Sequence, residues 1–143
     1  MQIKIIDDDA GDIEVLMKAL KTLPMVKSVG ANYGYEAGCD LVNFCRDLPT
    51  LAADDPELEP AYPDVIIFEA KLAGGSSVDL IRQAHQCPTL AATRLVVYTN
   101  TDDDAAKQAC LAAGATKVFS KGPGTKGAEA LAAYVVTLNQ KGG

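Results

Sequence analysis

The stretch VIIFEAKL, residues 65–72, runs through four β-branched or aromatic positions without alternation, meets a lone carboxylate at Glu69, and then turns at Gly74 and Gly75. An unbroken apolar run of that length is the pattern of a parallel strand covered on both faces. Ligands of such sheets gather beyond the carboxyl ends of the strands. Glu69 therefore stands where a site is expected, and the rest of the chain must be asked what else arrives there.

Working outward, Leu95 to Tyr98 repeats the same unbroken pattern, so these two segments are predicted to be central strands. Ile3 to Ile6 is a shorter strand, followed by Ile13, Leu16, Met17 and Leu20 at the spacing of a helix with one buried face. Val26 to Ala31 reads as a weaker strand, and Glu36 to Cys45 as a helix after the turn at Gly34. Val78 to Gln86 and Ala105 to Ala113 are further helices. Thr101 is the expected N-cap of the latter, Asp102, Asp103 and Asp104 suit its N-terminal dipole, and Gly114 stops it. Thr116 to Ser120 supplies a fifth strand and Ala128 to Leu138 a fifth helix. Between the second helix and third strand, residues 48–64 (LPTLAADDPELEPAYPD) are rich in proline and acid and lack periodicity, which predicts a surface insertion. Five β-α units in alternation predict an α/β fold, a doubly wound parallel sheet with helices on both faces.

The 143 residues suit a single domain, 1–143. No stretch approaches the roughly 18 to 20 apolar residues of a membrane span, and MQIKIIDDD turns acidic too early for a signal peptide. The expectation is a soluble, cytoplasmic protein. A net charge of −6 argues against direct contact with nucleic acid, so output is expected through protein. Cys39, Cys45, Cys87 and Cys110 match no zinc or redox spacing and read as free thiols. His85, the only histidine, lies beside Gln83 and Gln86 and reads as solvated surface.

At the five carboxyl ends the first strand delivers Asp7 and Asp8, the third Glu69, the fourth Thr99 and the last Lys121. Carboxylate oxygens suit Mg²⁺, and an ammonium and a hydroxyl suit phosphoryl oxygens. Elsewhere, GPGTKG at 122–127 is literally G-x-G-x-x-G, but it precedes only a terminal helix, which disqualifies it as a dinucleotide fingerprint.

In order and spacing, IIDDDAGD, PDVIIFEAKLAGG, RLVVYTN and AGATKVFSKG resemble the motifs of receiver domains of two-component response regulators, the flavodoxin-like module of the chemotaxis regulator. The resemblance covers essentially the whole chain and implies strand order 2-1-3-4-5 with five helices. It also implies that Asp7 and Asp8 hold Mg²⁺ together with the Lys71 carbonyl, that Thr99 and Lys121 contact a phosphoryl group, and that Glu69 occupies the phosphoacceptor position. Asp9 is read as helix capping. The implied partners are a sensor kinase, a downstream effector or a second copy, met through the fourth helix, fifth strand and fifth helix.

The departures from that pattern define an atypical member. Glu69 replaces the acceptor aspartate and is longer by one methylene, about 1.5 Å, which predicts a pseudo-receiver independent of phosphorylation, its carboxylate reaching Lys121 or Thr99. Val118 occupies the aromatic switch position, with Phe119 next to it, and Asn100 replaces the small residue after Thr99. Gly122 stands where a proline is usual after the lysine, and Ala73 where one is usual in the loop after the acceptor. The Lys71 ammonium is a candidate to take the place of Mg²⁺ among the carboxylates, so the pocket is read as able to work without a metal. No enzymatic activity is expected. The alternative is a phosphatase of the haloacid-dehalogenase type, with Asp7 as nucleophile and Asp9 as acid, although that family needs a further acidic pair and only Glu129 lies beyond Lys121.

Overall fold

The structure, a computed structural model, describes residues 1–141. Its main sheet has five parallel strands, β1 (Gln2–Asp7), β2 (Ser28–Tyr33), β3 (Val65–Phe68), β6 (Arg94–Thr99) and β7 (Lys117–Ser120). They lie in the order β2-β1-β3-β6-β7, which is 2-1-3-4-5 when only these strands are counted. A two-residue hairpin, β4 (Lys71–Leu72) and β5 (Gly75–Ser76), follows β3. The helices are α1 (Ala10–Lys21), α2 (Gly34–Asp54), α3 (Ser77–Gln86), α4 (Asp104–Ala113) and α5 (Lys126–Lys141).

Two cores form because side chains alternate across the pleat. Ile6, Ile66, Phe68, Leu95 and Val97 face α2, α3 and α4, and Ile3, Ile5, Val65, Ile67, Val96 and Tyr98 face α1 and α5. Each residue of β3 is buried, as expected for a strand covered on both sides. Gly38 lets α2 approach β1, since a Cβ there would lie 2.9 Å from the side chains of both Ile6 and Leu80.

Several element boundaries differ from the sequence reading. Strand β2 begins at Ser28 rather than Val26, because Val26 closes a turn by donating its N–H to the Leu23 carbonyl. Asp103, not Thr101, caps α4. Its carboxylate accepts from the Ala106 N–H at 3.1 Å, while the Thr101 hydroxyl accepts from the Asp103 N–H at 3.2 Å. The charged cap also complements the helix dipole, which a hydroxyl does not.

The largest difference lies in the predicted insertion at 48–64. Helix α2 continues through Pro49 to Asp54, leaving only 55–64 without helix or strand. Proline in a helix interior removes the donor to the carbonyl four residues back, here that of Cys45. The Thr89 hydroxyl supplies the missing hydrogen bond to that carbonyl at 2.8 Å. Leu48, the last buried residue of the helix, packs immediately before the proline. Thr89→Val keeps the shape but leaves the Cys45 carbonyl without its donor, which is expected to cost about 1–3 kcal/mol. Urea unfolding should show that loss, and Thr89→Ser should recover most of it.

Candidate functional site

The carboxyl ends of β1, β3 and β7 bring Asp7, Glu69 and Lys121 together. Strand β3 ends at Phe68, but the Glu69 N–H still donates to the Ile6 carbonyl at 2.9 Å, so Glu69 leaves the sheet beside Asp7. Similarly, the Lys121 N–H donates to the Thr99 carbonyl at 2.9 Å, which fixes the start of its side chain against β6. The first turn of α5 then lies close over this point. A Cβ at Gly127 would overlap the carbonyl oxygens of Ser120 and Lys121, so the last glycine of GPGTKG is there for close packing.

Lys121 is 3% exposed, and its ammonium is fully engaged. Nζ donates to Asp7 Oδ2 at 2.7 Å, to Asp12 Oδ2 at 2.8 Å and to Glu69 Oε1 at 3.0 Å. An ammonium has three protons, and three carboxylates take them. The ring of Tyr98 lies 5.5 Å from the same nitrogen and adds a cation–π contact. Burial disfavours the charged lysine, but the hydrogen bonds from Asp12, Asp7 and Glu69 outweigh it and hold its pKa well above the ordinary lysine value. For Asp7, 2% exposed, burial is the largest influence and raises its pKa against the pull of Lys121 and the Asp9 amide.

The remaining oxygens of Asp7 and Glu69 are also used. Asp7 Oδ1 accepts from the N–H groups of Asp8 and Asp9 at 2.7 and 3.1 Å. Glu69 Oε2 accepts from the Lys71 N–H at 3.3 Å. The Asp8 side chain departs from the cluster, its Oδ2 accepting from the Ala73 N–H at 2.9 Å. Asp7 and Asp8 thus hold the turn into α1 and the hairpin after Glu69. The three clustered carboxylates enclose an ammonium, and no group of three Asp, Glu, His or Cys side chains among the described residues is placed to hold a metal ion. This arrangement does not fit the Mg²⁺ site implied by the motif resemblance.

Asp12 is the member that sequence reasoning missed. Asp9 caps α1, accepting from the Asp12 N–H at 2.9 Å. An acid three residues after an acidic N-cap reads as part of a capping box, and that reading conceals the actual use of Asp12. The signal available was the final acid of IIDDDAGD, one turn into the helix that faces the strand ends.

One other expectation is corrected. The Lys71 ammonium does not enter the pocket; it pairs with Asp103 at 3.2 Å on the exposed side, where the cap of α4 attracts it. Thr99 is buried at the end of β6, but its hydroxyl accepts from the Thr101 N–H at 3.2 Å, and no hydrogen bond among the described residues joins it to Glu69 or Lys121. Val118, at the aromatic switch position, and Phe119 pack against opposite faces of the sheet. The two alternate across β7, Val118 packing toward α4 and Phe119 against Tyr134 of α5 with ring centroids 5.4 Å apart. Asn100 is exposed beyond the end of β6.

No family model and no curated protein matches the chain. Solved structures do. The signal receiver domain of a DNA-binding response regulator (merR) from Colwellia psychrerythraea 34H is 20% identical with a TM-score of 0.73, covering 98% of this chain and 98% of that one. A response regulator receiver domain from Rhodospirillum rubrum is 17% identical, with a TM-score of 0.73 and coverage of 96% and 94%. The response regulator domain of Thermotoga maritima CheB is 18% identical, with a TM-score of 0.68 and coverage of 99% and 94%. The chain therefore has the flavodoxin-like fold of response-regulator receiver domains. No described helix is long and apolar enough to cross a membrane.

Proposed function

We propose that this chain is a receiver-type module of two-component signalling that acts through protein contacts, independently of both aspartyl phosphorylation and Mg²⁺. The observation that carries the proposal is the Glu69 carboxylate, 3.0 Å from the Lys121 ammonium. Phosphoryl transfer requires an acceptor oxygen in line with the donor, at a position that tolerates little displacement. Here the longer side chain spends one oxygen on Lys121 and the other on the Lys71 amide. An internal carboxylate occupies the lysine that would otherwise be available to an incoming phosphoryl group, and the module sits permanently in one state.

The contact surface in this proposal is α4, β7 and α5, serving a sensor kinase, an effector or a second copy. Strand β7 is a sheet edge, and its outer groove carries Phe119 and Tyr134 with the Lys117 ammonium 5.2 and 5.1 Å from their ring centroids. Rings and an accessible edge are features that partners use. The phosphatase alternative is disfavoured by the same geometry. Asp7, its nucleophile, has both oxygens engaged, and Asp9, its acid, is the cap of α1.

Incubation with Mg²⁺ and acetyl phosphate should leave the intact mass of the protein unchanged. A gain of about 80 Da, one phosphoryl group, mapped to Glu69 would overturn the proposal. Turnover of an aryl phosphate that is lost in Asp7→Asn would favour the phosphatase instead.

A further inference from the structure

Helix α2 presents a second surface, unrelated to the strand ends. Three large hydrophobic side chains stand exposed among the described residues, Tyr33 (59%), Phe44 (48%) and Leu51 (44%). Two of them belong to α2. Phe44 and Leu51 are seven residues apart, so they return to within about 20° of each other around the helix and lie about 10 Å apart along it. Glu36, Asp40, Asp47 and Asp54, all exposed, fall with them in a sector of about 80°. This sector turns away from Gly38, Val42 and Cys45, and Leu48, the fourth position that α2 buries, borders it beside Phe44. The stretch beyond Pro49 carries Leu51 and Asp54, so the continuation of α2 past the proline completes the surface.

We propose that this face of α2 docks a basic amphipathic helix of a partner protein. Phe44 and Leu51 supply two apolar anchor points one heptad apart, and the acids beside them select lysine or arginine on the incoming helix. Charge complementarity decides the occupant. A second copy, parallel or antiparallel, would set one acidic row against another, and like charges facing each other oppose pairing. Nucleic acid and anionic lipid surfaces are repelled by the same row. The one cationic residue of α2 is Arg46, which pairs with Asp47 at 3.2 Å in an exposed contact, and such contacts are weak and readily exchanged. From Glu36 to Asp54 the surface is about 27 Å long, room for about five turns of a partner helix. This surface is independent of the α4, β7 and α5 face, so failure of either leaves the other standing.

The test uses a fluorescent 18-residue peptide with leucine at i, i+3, i+4 and i+7 and lysine elsewhere, together with a scrambled peptide of the same composition. Anisotropy should show the patterned peptide binding at least tenfold more tightly than the scrambled one, and amide NMR shifts should concentrate on α2. Phe44→Ser with Leu51→Ser should weaken binding at least tenfold. Asp40→Asn, Asp47→Asn and Asp54→Asn together should do the same and flatten the salt dependence. Asp102→Asn with Asp104→Asn removes charge elsewhere and should change affinity less than twofold. All of these positions are exposed, so the variants are expected to fold, which circular dichroism checks. Equal binding of the two peptides, indifference to the Phe44 and Leu51 changes, or a wild-type dimer in sedimentation that Phe44→Ser dissolves would each overturn the proposal.

Discussion

Lys121→Met is expected to lower the folding stability by about 3–5 kcal/mol, the effect of removing one partner from a buried charge cluster. Methionine fills similar volume, so the loss reports charge: Asp7 remains buried beside Glu69 and Asp12 with no cation between them. Adding Glu69→Gln to Lys121→Met should recover part of the loss, because one of the opposed carboxylates is then neutral. The pH dependence follows from the direction of the lysine shift. Folded Lys121 has a pKa above its unfolded value, so its contribution is complete below the ordinary lysine pKa of about 10.4 and is lost as pH rises beyond it. Wild-type stability should therefore fall more steeply than that of Lys121→Met above that pH. Asp7 acts in a separate window. Its folded pKa is raised, so its contribution is present below the ordinary aspartate value and is lost as pH rises through the folded one. Urea unfolding at a series of pH values, on both proteins, measures these effects.

Glu69→Asp is expected to convert a chain that takes up no phosphoryl group into one that does. Removing one methylene draws the carboxylate back by about 1.5 Å, breaks its 3.0 Å contact with Lys121 and releases one ammonium proton for an incoming oxygen. Intact mass after Mg²⁺ and acetyl phosphate should show partial addition of about 80 Da, stable to acid and labile to base. Glu69→Ala should add nothing, which separates acceptance at position 69 from acceptance at Asp7 or Asp8. Labelling of the aspartate variant is limited by Asp7 and Asp12, which still hold Lys121. Lys71 does not contribute to that limit, since its ammonium is held by Asp103 outside.

The sheet was legible because VIIF and LVVY admit one environment, a strand covered on both faces, and because a hydrophobic period of 3.6 marks α1 after the first strand. The last turns of α2 were not, since Pro49 and the acids after it have the composition of a loop. Thr89, forty residues beyond Pro49 in the chain and invisible to any local pattern, satisfies the carbonyl that the proline leaves without a donor. At the site, the strand ends named Asp7, Glu69 and Lys121 because backbone topology alone delivers them. Side-chain direction was not readable in the same way. Asp8 and Thr99 stand at the predicted strand ends but turn to backbone amides, and Lys71 turns to a helix cap. Asp12 turns inward to Lys121, a choice made by the position of α1 over the sheet.

The most direct measurement is the ¹⁵N–¹H NMR signal of the lysine ammonium groups at neutral pH, with and without millimolar Mg²⁺. An ammonium buried and shared among three carboxylates should give one protected resonance, assigned to Lys121 by its absence in Lys121→Met. It should be displaced by Glu69→Gln and unmoved by the metal. If wild-type protein shows no protected lysine signal, or if Mg²⁺ shifts that signal as the carboxylates exchange the ammonium for the metal, the pocket is not neutralised from within and the phosphorylation-independent reading falls.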